Sequence, residues 1–102
     1  MLYRLLEKDM LSVETTPRFD NELMVILDFI ALDSSNRALL FYDELMQKLY
    51  DIPNHPYIYR QRSDKDTDTR ELIYKGYVIP FYIDKIKHKI FILGIFNQNI
   101  WD

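Results

Sequence analysis

The stretch TRELIYKGYVIPFYID, residues 69–84, decides the fold, because it contains two strand-forming runs joined by a tight turn. Aromatic and β-branched residues, which favour strands, are frequent on both sides of Lys75-Gly76. Glycine adopts positive φ without strain, so this dipeptide is typical of a two-residue hairpin turn. We therefore predict antiparallel strands over 69–75 and 77–84. Pro80 lacks a backbone N–H, which predicts an edge position or a bulge in the second strand.

Two further strands are predicted outward from this hairpin. Residues 85–88 form a second turn, and residues 89–96 read as the last strand. Near the N-terminus, residues 11–15 alternate apolar and polar side chains, which is the period of a strand. Residues 53–68 are expected to be a long loop, aromatic and basic at first and then rich in charge.

Two amphipathic helices are predicted between the first strand and that loop. Apolar residues recur at the helical period over 17–32 and again over roughly 35–51. Thr16-Pro17 offers an N-cap followed by proline at the first helical position, where no hydrogen bond is lost. Because only a short turn separates the helices, they should pack as a hairpin.

The predicted fold class is therefore α+β, in the order β-α-α-β-β-β, with the helical hairpin packed on one face of an antiparallel sheet. A length of 102 residues allows a single domain over 1–102. Residues 1–9 are treated as a possible N-terminal extension, because Met10 offers an alternative start.

Composition excludes several classes of function. The chain has no cysteine, which excludes disulfides, thiol catalysis and cysteine-ligated metal sites. No apolar run is long enough to span a bilayer, and we recognise no signal peptide, so a cytoplasmic location is expected. The two histidines share no ligand spacing, and no metal or other cofactor is expected.

The formal charge of −3 is unevenly distributed along the chain. Residues 1–51 carry 5 basic and 10 acidic side chains, whereas residues 52–102 carry 8 basic and 6 acidic ones. An acidic protein is a poor general binder of nucleic acid, because phosphate contacts dominate that affinity. Direct sequence-specific DNA binding is not expected, and any contact with RNA should use the C-terminal half.

The order of these pieces resembles the RelE/ParE superfamily of toxins from type II toxin–antitoxin systems. FDNELMVILDFIALDSSNRALLFYDELMQKL is similar to the family's helical hairpin, including Ala38 just after the turn. TRELIYKGYVIPFYID resembles the central hairpin, and KIFILGIFNQNIW resembles the last strand with its polar tail. The resemblance covers about four-fifths of the chain.

The resemblance implies a cytoplasmic bacterial toxin that is neutralised by a cognate antitoxin. RelE-like members cut mRNA on the ribosome with basic residues and often a tyrosine or histidine. ParE-like members lack that set and poison DNA gyrase. This chain departs from the cutting pattern in two places. Val78 stands where those members usually carry arginine, and amides such as Asn97 and Gln98 stand where they carry Arg, His or Tyr. Amides cannot exchange protons near neutral pH.

The leading hypothesis is a ParE-like toxin that acts by binding a protein and is not an enzyme. The candidate target-binding residues are Arg60, Arg62, Arg70, Lys75, Asn97, Gln98 and Trp101. The alternative is a ribosome-dependent endoribonuclease. In that case the candidate catalytic residues are Arg70 and Lys75 on phosphate, with His55 or Tyr82 moving protons. A further alternative is a degenerate member that binds only antitoxin.

Several of these residues also have an ordinary structural interpretation. Arg70 is either a contact with phosphate or target, or a partner of Glu71, Asp84 or an acidic helix face. His55 is either a base or a loop-packing residue. The aromatic excess predicts an apolar patch that a partner covers, and Phe96 to Trp101 is our candidate for part of it.

Overall fold

The computed structural model describes residues 11–97. Helix α1, Pro17–Asp33, and helix α2, Ser35–Asp51, follow strand β1, Ser12–Thr15. Two short 3-10 turns, Ile52–Asn54 and Pro56–Ile58, lead into the remaining strands. These strands are β2 Arg60–Ser63, β3 Asp66–Tyr74, β4 Tyr77–Asp84, β5 Lys89–Ile92 and β6 Phe96–Asn97.

Both helices begin at the side chains that cap them. Thr16 Oγ1 accepts a hydrogen bond from the backbone N–H of Phe19 at 3.3 Å, and Pro17 occupies the first helical position as predicted. The same hydroxyl donates to the carbonyl of Ile92 at 2.7 Å, which ties the start of α1 to β5. Ser34 caps α2 by accepting from the N–H of Arg37 at 3.2 Å.

The predicted α+β fold is confirmed, with one correction to the sheet. The strand order is β1-β5-β4-β3-β2, and β6 also pairs with β4. The β3–β4 and β4–β5 pairs are antiparallel, as expected, but β1 runs parallel to β5. The sheet is therefore mixed. Parallel neighbours need a long crossover connection between them, and the two helices that follow β1 are part of that connection.

The loop predicted over 53–68 is wrong in its second half. Arg60–Ser63 forms the edge strand β2, and β3 begins at Asp66 rather than Thr69. The polar sequence of this hairpin carries almost no apolar alternation, so period alone could not reveal it. The predicted last strand is also divided, because Leu93, Gly94 and Ile95 separate β5 from β6.

Pro80 explains that division. It lies in β4, a central strand, so the edge position that we considered is wrong. Phe81 pairs with Ile92 and Val78 with Phe96, which leaves two β4 residues opposite three residues of the other chain segment. This is the bulge that a missing N–H predicts.

The core lies between the helical hairpin and one face of the sheet, which we call the covered face. Alternate residues of β3, β4 and β5 point into it, and the helices contribute their apolar stripes. Its fully buried members are Phe19, Leu45, Leu49, Ile52, Ile79, Phe81, Ile83, Ile90, Ile92 and Ile95. We call the opposite face of the sheet the open face.

Candidate functional site

Arg70 supports the chain segment before β2. Its Nη1 donates to the carbonyls of Tyr57 at 2.8 Å and Tyr59 at 2.9 Å, and its Nε donates to that of Thr67 at 2.9 Å. The guanidinium also lies 5.0 Å from the centre of the Tyr57 ring. We had considered carboxylates as the partners of Arg70, but these hydrogen bonds go to backbone carbonyls. Several of its donors therefore hold backbone oxygens.

Tyr57 and Lys85 complete this junction. The Tyr57 hydroxyl donates to Asp68 at 3.3 Å, and Lys85 Nζ lies 3.4 Å from the same carboxylate oxygen. Asp68 raises the pKa of Lys85 above its ordinary value, chiefly by direct charge attraction. The junction joins the turn Pro56–Ile58 to β3 and to the end of β4.

One ring nitrogen of His55 faces a carboxylate, and the other is buried. Its Nε2 lies 3.2 Å from Asp51 Oδ2 at the end of α2. Its Nδ1 is buried and has no hydrogen-bond partner in the described part of the chain. The ring lies 5.9 Å from that of Tyr59, whose pKa is raised by burial and then by the charge of Asp51. This geometry agrees with the loop-packing interpretation.

The remaining candidates for catalysis are separated from each other. Tyr82 is 37% exposed and pairs with Thr69 across the sheet, one residue from Arg70 and on the opposite face. Lys75 occupies the β3–β4 turn at φ 49°, five residues from Arg70, which is about 17 Å along a strand. Val78 is buried and offers no polar group. The structure therefore does not bring the four candidate catalytic residues into one cluster. These are His55, Arg70, Lys75 and Tyr82.

Arg60 and Arg62 lie on the open face and share one carboxylate. Arg60 Nε lies 3.5 Å from Glu71 Oε1, and Arg62 Nη1 lies 2.7 Å from Oε2. The Glu71 side chain is only 12% exposed. Our sequence interpretation missed Glu71 as a partner of these arginines. Its place two residues after Thr69 could have suggested a side chain on the open face, but the register of β2 could not be predicted.

An apolar groove runs along the rim of the helical layer. Its first part, of about 450 Å³, is lined by Val25, Ile26 and Phe29 of α1 and by Tyr77, Phe96 and Asn97 of the sheet. Phe29 also lines a second depression, together with Leu32 and Arg37. Arg37 in turn lines a third, together with Leu40 and Lys75. Neighbouring depressions share lining residues, and we call the three together the rim groove.

The rim groove combines exposure with apolar character. Phe29 is 72% exposed, and Val25, Leu32 and Leu40 are also exposed. Two candidate target-binding residues line it, Asn97 in the first depression and Lys75 in the third. Phe96, the described end of the patch that we proposed, lies in its wall, whereas Gln98 and Trp101 lie outside the described residues.

Glu22 fixes the sheet side of this groove. Its Oε1 accepts a hydrogen bond from the N–H of Ile95 at 3.0 Å, and its Oε2 lies 3.5 Å from Arg18. A Cβ atom at Gly94 would lie 2.7 Å from Glu22 Oε1, so a side chain there would disturb this contact. The bulge opposite Pro80 is thus held against α1.

Two larger-scale findings complete the description. Within the described part of the chain, no helix has both the length and the apolar character needed to cross a membrane. Among the same residues, no three His, Asp or Glu side chains are placed to bind one metal ion.

Comparison with known proteins gives a consistent result. In structure, the chain resembles a chain of the chromosomal ParDE toxin–antitoxin system from P. aeruginosa, with a TM-score of 0.70 and 20% identity over 87% of this chain and 97% of that one. It also resembles a chain of the RelBE2 toxin–antitoxin complex from Mycobacterium tuberculosis, with a TM-score of 0.59 and 15% identity over 86% and 98%. At these identities the likeness shows the fold alone.

Sequence comparison identifies the family. No curated protein matched this chain as a relative. Residues 13–100 match the family described as the ParE toxin of type II toxin–antitoxin system, parDE. That match begins within β1, reaches past the end of the described sheet, and includes the rim groove and the arginine pair. The chain therefore belongs to the ParE toxin family of type II toxin–antitoxin systems.

Proposed function

We propose that this chain inhibits growth by binding a protein target such as DNA gyrase, that it does not cut RNA, and that a cognate antitoxin neutralises it. Family membership supports the coarser part of this proposal, a toxin with a partner antitoxin. One observation supports the finer proposal. The candidate acid–base side chains are dispersed, whereas four exposed apolar side chains, Val25, Phe29, Leu32 and Leu40, line neighbouring depressions of the helical layer. A cytoplasmic location follows from this proposal, because gyrase acts there.

RNA cleavage makes demands that the described residues do not meet together. The 2′-hydroxyl must lose a proton, the phosphorane charge must be neutralised, and the leaving oxygen must gain a proton. His55 is occupied by Asp51 on one nitrogen and buried on the other. Tyr82 lies on the opposite face of the sheet from Arg70, and Arg70 donates hydrogen bonds to backbone carbonyls. These placements support protein binding over catalysis.

The rim groove is our proposed antitoxin surface. Exposed apolar grooves are typical of sites where a partner is bound, and an amphipathic helix or extended segment of an antitoxin would cover this one. Phe29→Ser should weaken antitoxin binding at least about tenfold, because a buried aromatic anchor commonly contributes 2 kcal/mol or more. The measurement is isothermal titration calorimetry with the antitoxin from the adjacent reading frame.

Leu39→Ser is the matched control for that experiment. Leu39 is an exposed apolar residue of α2 that does not line the rim groove. Its substitution should leave the affinity within about twofold of the original. Equal loss in both variants would show that the antitoxin binds elsewhere on the helical layer.

The proposed target contacts are Arg60 and Arg62 on the open face and Lys75 and Asn97 in the lining of the rim groove. Arg70 contributes by holding the Tyr57–Tyr59 turn in place next to β2. Gln98 and Trp101 remain in the proposed set on sequence grounds. Because Lys75 and Asn97 of this proposed set line the rim groove, an antitoxin bound there would cover part of the target-binding surface and so block the target.

Purified protein in a gyrase supercoiling and cleavage assay tests the target. The expected result is inhibition of supercoiling or accumulation of cleaved DNA, which added antitoxin reverses. Programmed ribosomes with mRNA are the parallel assay, and no cutting is expected there. Cutting of mRNA without an effect on gyrase would overturn the proposal. Unimpaired growth when the chain is expressed alone would instead indicate a member that binds only antitoxin.

A further inference from the structure

Glu71 is placed where it controls both arginines of the open face. It pairs with Arg60 across β2 and β3, and each of its two carboxylate oxygens faces a different guanidinium. The side chain is 12% exposed, while those of Arg60 and Arg62 are 74% and 36% exposed. A shielded carboxylate thus lies beside two guanidinium groups that solvent can still reach.

Arg62 is held on a second side as well. Its guanidinium lies 5.8 Å from the centre of the Phe96 ring, in addition to its 2.7 Å contact with Glu71. Cation–π contact and a charge-assisted hydrogen bond together restrict its orientation. Arg62 therefore cannot turn toward a new anion without losing part of this arrangement.

Local charge also disfavours a polyanion at this place. Two guanidinium groups and one carboxylate leave a single net positive charge, and Asp64, Lys65 and Asp66 of the hairpin from β2 to β3 add a net charge of −1, which cancels it. Affinity for nucleic acid grows with the number of phosphates that are neutralised. Arginine is otherwise the side chain best suited to phosphate, so the carboxylate is the feature that opposes such binding.

We propose that Glu71 is a specificity-determining residue that withholds Arg60 and Arg62 from the phosphates of nucleic acid. The arginines remain able to meet single carboxylates or backbone carbonyls on a protein surface, which needs only the donors that Glu71 leaves unused. The inference rests on the proposed function in one respect, because it takes the partner of these arginines to be a protein.

The test compares RNA binding by four forms of the full chain. A short fluorescein-labelled single-stranded RNA is titrated at low salt, and fluorescence anisotropy gives the affinity. Glu71→Gln should bind this RNA at least about tenfold more tightly than the unmodified chain, because two charge-assisted contacts become available. Its affinity should also fall more steeply with salt, by about 1.4 in the double-logarithmic slope for two added phosphate contacts.

Glu44→Gln is the matched control, because it removes one negative charge from α2, in the helical layer. It should leave RNA binding within about twofold of the unmodified chain. An equal gain in both variants would assign the effect to net charge and overturn the proposal. Tight RNA binding by the unmodified chain would do the same.

Glu71→Asp keeps the charge but withdraws the carboxylate by one methylene group, so it tests geometry alone. Its affinity for RNA should lie between those of the unmodified chain and Glu71→Gln. Should Glu71→Gln fail to fold by circular dichroism, a Glu71→Asp affinity equal to the unmodified one would reject the proposal. None of these measurements uses gyrase, so failure here would leave the supercoiling result standing, and the reverse also holds.

Discussion

The two faces of the sheet are built on different principles. On the covered face, Ile79, Phe81 and Ile83 of β4 are at most 1% exposed and belong to the apolar core. On the open face, long-range ion pairs cross the strands, as between Glu14 and Lys89 at 2.9 Å and between Glu71 and its two arginines. The covered face supplies stability, whereas the open face supplies orientation of charged groups.

This difference has a consequence for where function can lie. Apolar burial is non-directional and contributes about 25 cal/mol per Å², so the covered face tolerates few changes. Exposed ion pairs such as Glu14–Lys89 contribute about 0–1 kcal/mol, so exposed residues of the open face can change with little loss of stability. This difference is why we propose the open face and the rim groove as the surfaces that recognise a partner.

The largest expected effect separates two neighbours on β4. Phe81→Ala should lower the free energy of unfolding by about 3–5 kcal/mol, because it leaves a cavity beneath the helices next to Tyr59. Tyr82→Ala, one residue later on the open face, should cost about 1 kcal/mol or less. Urea denaturation followed by circular dichroism measures both. Similar losses in the two variants would break the distinction between the faces.

A smaller effect is expected at Arg70, which refines the comparison. Arg70 is on the same side of β3 as Leu72, yet its guanidinium holds backbone carbonyls instead of entering the apolar core. Arg70→Met should cost about 2 kcal/mol, since hydrogen bonds from charged donors contribute 1.5–3 kcal/mol and this site is partly solvated. Urea denaturation is again the measurement.

Arg37→Met is the control for Arg70, because Arg37 forms an exposed ion pair with Asp33 within the helical layer. It should change stability by about 0.5 kcal/mol or less. If Arg70→Met left stability unchanged but abolished growth inhibition, Arg70 would contact the target directly instead of acting through the Tyr57–Tyr59 turn.

The covered face was predictable from the sequence for a physical reason. Period-2 and period-3.6 patterns are consequences of burial, so Leu72, Phe81, Phe41 and Leu45 reveal their strands and helices. Turn chemistry added the β3–β4 hairpin, where Lys75 and Gly76 both adopt positive φ. The parallel pairing of β1 has no local signal, because it depends on how the helical hairpin returns the chain.

The candidate site was less predictable, because its contacts depend on register and on distant carbonyls. Arg70 was a candidate from the sequence, but its hydrogen-bond partners, the carbonyls of Tyr57 and Tyr59, lie more than ten residues away and could not be predicted. The pairing of Arg60 and Arg62 with Glu71 required β2, which the polar sequence concealed. The rim groove required the packing of α1 against β6.

The smallest expected effect lies at the border between the covered face and solvent. The Tyr74 ring is buried against Phe41, and its hydroxyl donates to Glu44 at 3.2 Å. Burial, and then the hydrogen bond and charge of Glu44, raise the pKa of Tyr74 above 10. The folded state thus favours the neutral phenol, so this stabilisation is present below pH 10 and is lost as pH rises through the folded pKa.

Urea denaturation at neutral pH and above pH 10 measures this contribution. Tyr74→Phe should reduce the alkaline loss of stability by about 1 kcal/mol or less, because Tyr59, whose pKa is also raised, still contributes. Glu44→Gln keeps the ring buried but removes the charge, so its alkaline loss should lie between those of the unmodified chain and Tyr74→Phe. A loss in Tyr74→Phe as large as in the unmodified chain would show that the phenol is solvated in the folded state. Water would then reach the Tyr74 ring in the folded state, and Tyr74 would no longer count as part of the buried core on the covered face.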